Sequence, residues 1–316
     1  MHNFFEKRHE QMKIETVAII GLGALGILYG NHFTKAIGKE RVRIVVNKER
    51  MVRYQEQGIS FNSEVSDFQY VDEMDASLAP ADLVILAVKG TSLNEAIETA
   101  RNQVGPDTTI LSVLNGISSE EVIGAAFGGE KVVHCVAQGM DALRTGNEVK
   151  SVHIGELRIG IDAPEKQDRL DAVAAFFKET ALPHVVEADI LHRMWAKFML
   201  NVGVNQVLMV KEGTFRDIHK EGPTRDLMIA AMREVLPIAQ KEGVNLTETD
   251  LENDLAIIDG LTPLGMPSMR QDGIAKRPSE VELFAGTILK KAKKYGLPAP
   301  TNQYLYDQVQ AIEATY

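Results

Sequence analysis

Thr16-Val17-Ala18-Ile19-Ile20-Gly21-Leu22-Gly23-Ala24-Leu25-Gly26 is a short β-branched run that ends in the pattern G-x-G-x-x-G. A run of this length and composition suits a strand buried on both faces of a parallel sheet. The glycines then have separate tasks. Gly21 permits a tight turn, Gly23 lets the backbone approach a pyrophosphate, and Gly26 lets a following helix pack closely on the strand. The N-terminus of that helix offers unpaired N–H groups to phosphate oxygens. Three glycines can also pack a turn with no ligand, but their place between a strand and a helix favours a dinucleotide loop built from Gly21, Leu22, Gly23, Ala24, Leu25 and Gly26.

Working outward, a helix is expected from about Ala24 to Ala36, a strand over Val42–Val46 and a polar helix around Glu49–Gln57. A buried strand over Leu83–Val88, a helix over Thr91–Gln103 and strands over Thr109–Leu114 and Val132–Val136 come next. Alternation of this kind predicts an α/β domain with a parallel, doubly wound sheet of the Rossmann type. Asn147–Gly160 reads as an antiparallel hairpin finishing that domain, and Glu165–Lys178 as a helix. Beyond Ala188 the strand signals fade, and Ile190–Val210, Thr224–Glu242, Glu248–Ile258, Ser279–Tyr295 and Asn302–Ala314 carry helical periodicity. The expected organisation is a dinucleotide-binding domain over residues 1–188 and an all-helical C-terminal domain, for substrate and catalysis, over residues 189–316. Residues 1–12 are expected to be a disordered extension.

A chain of 316 residues is long enough for two cores, and 45% hydrophobic with 25% charged residues is ordinary for a folded protein. The net charge of −10 argues against nucleic acid, which demands a basic face. Cys135 is the only cysteine, so an internal disulfide and a Cys-based metal site are both excluded. No apolar run approaches the roughly 18 residues of a membrane span. Met1–Lys13 lacks an apolar export core, and a cytoplasmic protein acting on small molecules is expected. His134, His153, His184, His192 and His219 show no metal-binding spacing, so no metal is expected.

An NAD site usually places Asp or Glu at the end of the second strand, to bond the ribose hydroxyls. Here that place holds Asn47, followed by Lys48, Arg50 and Arg53. The basic cluster is suited to a 2′-phosphate, which favours NADP(H); a solvated helix start is the alternative reading. Lys89 and Asn115 follow later strands at the sheet edge where ligands bind in open α/β sheets, although either residue also suits a plain turn. In Trp195-Ala196-Lys197-Phe198-Met199-Leu200-Asn201-Val202-Gly203-Val204-Asn205, the polar residues recur at i, i+4 and i+8, one face of an otherwise apolar helix. Such a stripe needs partners, supplied by a ligand or by a polar seam within the protein.

Taken together, Gly21–Gly26, Val88-Lys89, Asn115-Gly116, the Trp195/Lys197/Asn201/Asn205 spacing, Ser268-Met269, Gln271-Asp272 and Glu280 resemble the ketopantoate reductase (2-dehydropantoate 2-reductase) family. The resemblance implies NADPH-dependent reduction of a 2-oxo acid, ketopantoate, to pantoate in pantothenate and coenzyme A biosynthesis. By that resemblance Lys197 is the general acid and Glu280 an active-site glutamate that helps order cofactor and substrate. Asn115 would lie near both nicotinamide and substrate, Lys89 on the cofactor side, and Asn201, Asn205 and Ser268 against the substrate. Glu280 also reads as a first-turn glutamate complementing a helix dipole after Ser279.

The chain departs from the family in two places. Asn47 replaces the arginine common after the second strand, shifting any 2′-phosphate contact to Lys48 or Arg50. Gln206-Val207-Leu208-Met209 follows Asn205, where the family commonly continues with Pro and small residues. Paralogues reducing other small 2-oxo acids, and a non-catalytic NADP-binding sensor, are the alternative functions. Apolar stripes in the helical domain are compatible with a homodimer.

Overall fold

The computed structural model describes residues 12–316, and the expectation for the N-terminal extension therefore falls, apart from Met12, outside the described residues. Its contacts divide the chain into two compact units. One comprises the residues up to Leu114 together with Ser119–Ile190; the other comprises Asn115–Ser118 together with Leu191–Tyr316.

The strands of the first unit are β1 (Val17–Ile20), β2 (Val42–Val46), β3 (Ser60–Phe61), β4 (Glu64–Val65), β5 (Gln69–Asp72), β6 (Leu83–Leu86), β7 (Thr109–Ser112), β8 (Val132–Gln138), β9 (Leu143–Thr145), β10 (Glu148–Lys150), β11 (Glu156–Gly160) and β12 (His184–Val186). Eight of them form one sheet in the order β12-β11-β8-β7-β6-β1-β2-β5. From β5 to β8 every pairing is parallel, and β11 then runs antiparallel to β8. The order reverses between β1 and β6, the switch point at which doubly wound sheets bind ligands. Central strands β1, β6 and β7 are buried throughout; β1 and β6 are unbroken apolar runs, while β7 is Thr109-Ile110-Leu111-Ser112, with a polar residue at each end.

Helices α1 (Ala24–Ile37), α2 (Lys48–Gln57), α3 (Leu93–Ala100), α4 (Ser119–Phe127) and α5 (Gln167–Glu179) connect the strands. The crossover from β7 to α4 is closed at its base, where Ser112 Oγ lies 2.8 Å from Ser119 Oγ. Ser119 in turn donates to Glu120 at 2.9 Å. Burial of Glu120 pushes its carboxyl up to about 7.

The hairpin expected over Asn147–Gly160 is not formed. Glu148–Lys150 instead pairs with β9 and β3 in a second, four-stranded sheet, while Glu156–Gly160 joins the main sheet. Asp141 separates the two halves by accepting from the Ser151 hydroxyl at 2.8 Å and from the backbone N–H groups of Val152 and His153 at 2.9 Å. These bonds turn the chain between sheets.

Among the described residues the second unit contains helices and no strand. The long α6 (Ile190–Val210) is followed by α7 (Arg216–His219), α8 (Pro223–Arg233), α9 (Val235–Lys241), α10 (Glu248–Asp259), α11 (Ser268–Ile274), α12 (Thr287–Tyr295) and α13 (Pro300–Glu313). The single helix expected over Thr224–Glu242 breaks at Glu234. Pro237 explains the break: it has no N–H to donate and its ring crowds the carbonyl of Arg233 four residues earlier. Gly203 brings α6 close to α8, because a Cβ there would stand 2.5 Å from Met232 Cγ. The core around α6 includes Phe198, Met199, Val202 and Leu208, all buried.

Candidate active site

In the first unit, Gly21 has φ +97°, and a Cβ on it would meet Val88 Cγ1 at 2.5 Å and the Ala87 carbonyl oxygen at 2.9 Å. A Cβ on Gly26 would collide with the Gly21 carbonyl oxygen. These two glycines are therefore required by the turn and by close packing. Gly23 differs, since the nearest atom to its Cβ, the Ala87 carbonyl oxygen, is 3.4 Å away. It is also the N-cap of α1, where no side chain caps the helix and no acidic residue occupies the first turn. The leading N–H groups of α1 are thus left for an anion, and the loop fits the pyrophosphate of a dinucleotide. Arg144, which no motif marks, donates from its guanidinium to the Leu22 carbonyl on this loop.

Beside the loop is a pocket whose walls include Leu22, Asn47, Arg50, Tyr54, Ser92 and Glu95. Asn47 caps α2, its Oδ1 accepting from the Arg50 N–H at 2.8 Å. The basic residues here meet carboxylates: Lys48 lies 3.6 Å from Asp72, and Arg50 lies 3.0 Å from Glu95. Arg53 lies over the Tyr54 ring, 5.2 Å from its centroid. Lys89 is exposed and precedes the short helical turn Gly90–Ser92 beyond β6.

In the second unit, Lys197, Asn201 and Asn205 do lie on one uninterrupted helix, α6. Lys197 Nζ donates to Asn115 Oδ1 at 3.2 Å, and Asn115 Nδ2 donates to Glu280 Oε2, also at 3.2 Å. Asparagine thereby links an ammonium to a carboxylate, accepting from one and donating to the other. A second chain begins one turn along α6. Asn205 Nδ2 donates to Asn201 Oδ1 at 3.2 Å, while Asn205 Oδ1 accepts from the Ser268 hydroxyl at 3.1 Å and the Met269 N–H at 3.2 Å. Lys197, Asn115 and Asn201 are half-buried, Asn205 and Glu280 buried, and Ser268 exposed. Trp195 packs edge-on against Phe198, with ring centroids 5.8 Å apart, and Lys291 lies 5.9 Å from the Trp195 ring. The arrangement brings together a lysine amine, a carboxylate and several amides, groups suited to hold a small oxygen-rich molecule.

Among the described residues no group of three or more His, Cys, Asp or Glu could hold a metal ion, and no helix is long and apolar enough to cross a membrane.

A doubly wound dinucleotide-type unit joined to an all-helical unit carrying a Lys–Asn–Glu constellation defines a class of two-domain reductases. Residues 17–163 match the family model described as ketopantoate reductase PanE/ApbA, and residues 189–313 match that of its C-terminal part. The chain belongs to the ketopantoate reductase family, a family of oxidoreductases. A 2-dehydropantoate 2-reductase of Aquifex aeolicus is 27% identical over 304 residues, covering 93% of this chain and 96% of that protein. The structure of D-mandelate dehydrogenase with NADH and anilino(oxo)acetate superimposes with a TM-score of 0.85 at 22% identity, covering 95% of this chain and 99% of that one. A dimeric ketopantoate reductase from Staphylococcus aureus gives 0.77 at 22% identity, with 95% and 99% covered.

Proposed function

We propose that the chain reduces 2-dehydropantoate to pantoate with NADPH. The observation that carries this reading is the Lys197–Asn115–Glu280 hydrogen-bond chain, which joins a proton donor to its orienting groups in a chain of this family. On the first unit, the backbone of Gly21–Gly26 and the N-terminus of α1 would hold the pyrophosphate. Asn47, Lys48 and Arg50 would face the adenosine end, and Lys89 would lie on the cofactor side. The bound dinucleotide supplies the hydride.

On the second unit, Lys197 donates a proton to the former keto oxygen and offsets negative charge growing there. Asn115, by accepting from Lys197, fixes the direction of the ammonium and would lie near nicotinamide and substrate. Glu280 holds Asn115 in turn. Asn201, Asn205 and Ser268 bind the carboxylate and hydroxyl groups of the acid. Residues 1–188 and 189–316 are the corresponding cofactor and substrate domains, Asn115 being the substrate-side residue contributed from the first of them.

Oxidation of NADPH, followed with 2-dehydropantoate beside a panel of other 2-oxo acids, tests the reading; faster turnover of a rival acid rejects this substrate. One observation favours a second reading, NADH-linked reduction of another small 2-oxo acid. Both Lys48 and Arg50 already face carboxylates, and the D-mandelate dehydrogenase that this fold resembles was solved with NADH. A homodimer belongs to the same proposal. It is supported by the dimeric S. aureus relative and by exposed Ile257, Leu264 and Ile274 on the helical unit, and light scattering would check it.

A further inference from the structure

Gln206 is fully buried beside Asn205, and its side chain carries three hydrogen bonds. Nε2 donates to the Val202 carbonyl at 2.7 Å and to Asn302 Oδ1 at 3.2 Å. Oε1 accepts from the backbone N–H of Ala285 at 3.1 Å. The amide orientation follows from its neighbours. Asn302 Nδ2 donates to the Ala231 carbonyl and to Glu234, which turns Asn302 Oδ1 toward Gln206. The Ala285 N–H, for its part, can face only an acceptor.

Ala285 lies in a π-helical turn, Glu282–Gly286, that begins two residues after Glu280. In that turn Gly286 N–H donates to the Val281 carbonyl at 3.0 Å, an i→i−5 bond. Val281 is the acceptor that an α-turn would assign to Ala285, so the π-turn deprives Ala285 N–H of its usual partner. An orphaned N–H in a fully buried position is destabilising, because it loses its water partner and gains no other. Gln206 removes that cost, and it does so from the helix that carries Lys197, Asn201 and Asn205. Single π-turns within helices are frequent at functional sites because the extra residue re-aims what precedes it.

We infer that Gln206 is a positioning residue: by accepting the Ala285 N–H it selects the π-turn over the α-turn and so aims Glu280 at Asn115. Without that acceptor the Ala285 N–H returns to the Val281 carbonyl. The helical register then changes by one residue, a rotation of about 100° for the residues preceding the turn, and Glu280 leaves Asn115.

The inference rests on the reductase reading, and a double-mutant cycle in the full-length protein separates the two. Gln206→Met keeps the volume but offers no oxygen. It is expected to lower kcat for NADPH-dependent reduction about tenfold in the parent protein and less than twofold in a Glu280→Ala background. Equal losses in both backgrounds, or an unchanged kcat in the parent, would overturn the inference while leaving the role of Glu280 intact. An unimpaired Glu280→Ala enzyme would reject the role of Glu280 and the inference with it. Should Gln206→Met not accumulate in folded form, Gln206→Met/Ala285→Pro decides, because a proline at 285 has no N–H to give to the Val281 carbonyl and so holds the π-turn without an acceptor at 206. Retention of kcat within about threefold supports the inference, and a tenfold loss in the folded double variant overturns it.

Discussion

Asn115 donates to Glu280 at 3.2 Å, joining residues 165 positions apart, and accepts from Lys197 at the same distance with its other side-chain atom. One amide thus sets the direction of both a cation and an anion. Replacing it should disturb both. Asn115→Ala is expected to lower kcat roughly 10–100-fold, more than it changes KM, because the proton donor loses orientation while the Asn201–Asn205–Ser268 chain remains. Steady-state kinetics checks this; a pure KM effect would be inconsistent with it.

Lys197→Ala removes the proposed acid. A decrease in turnover of about 10²–10⁴ is expected, with NADPH affinity unchanged in fluorescence titration. Unchanged turnover would reject the assignment.

The glycine loop separates folding from binding. Gly26→Ala has no room beside the Gly21 carbonyl and should cost about 1–3 kcal/mol of stability, read as a lower Tm. Gly23→Ala, whose Cβ has 3.4 Å to the nearest atom, should fold normally and yet weaken dinucleotide binding at least tenfold, since its methyl would occupy the face open to the pyrophosphate. Tight NADPH binding by Gly23→Ala would argue that the phosphates lie elsewhere.

On the proposed reading, cofactor choice depends on how Arg50 is shared. Glu95 lies 3.0 Å from it on the wall of the same pocket. Glu95→Gln should tighten NADPH several-fold and leave NADH nearly unaffected, by freeing the guanidinium for a 2′-phosphate. Lys48→Glu should act in the opposite sense, weakening NADPH more than NADH. Equal effects on the two cofactors would place the 2′-phosphate away from both residues.

Glu120 makes stability depend on pH. Burial raises its carboxyl from 4.5 to about 7, so the folded state holds the proton more tightly than the unfolded chain. Its contribution is complete below about pH 4.5 and is lost as pH rises through 7, where a buried carboxylate must ionise. Glu120→Gln keeps an acceptor for Ser119 without the charge. Its Tm should exceed that of the parent at pH 8, by up to the order of 3 kcal/mol in stability, with little difference at pH 4. A Tm difference independent of pH would contradict the argument.

Much of the doubly wound unit was legible because its central strands are buried on both faces, and such strands are mostly apolar: β1 and β6 wholly so, β7 at Ile110 and Leu111. Val42–Val46 and Ile190–Val210 have the bounds that periodicity assigns them. The short strands β4, β5 and β12 left little trace, since two to four residues at a sheet edge need no apolar run, and β3, although interior to the small sheet, is only two residues long. The break at Glu234 was written in Pro237, but helical periodicity continues across it. Arg144 was invisible, because its relation to Leu22 depends on a hairpin folding back over 122 positions.

By itself the sequence determined what depends on neighbours along the chain: the strand–glycine–helix unit after Thr16, the alternation that makes a parallel sheet, and the polar face of Lys197, Asn201 and Asn205. Local stereochemistry and side-chain period suffice for these. Only the tertiary structure decided which polar groups meet. Asn115 between Lys197 and Glu280, Glu95 against Arg50, and Gln206 at the amide that a π-turn leaves over are pairings between distant segments. A hydrogen bond requires its two atoms within about 3 Å, and no local preference sets that distance between residues far apart in the chain.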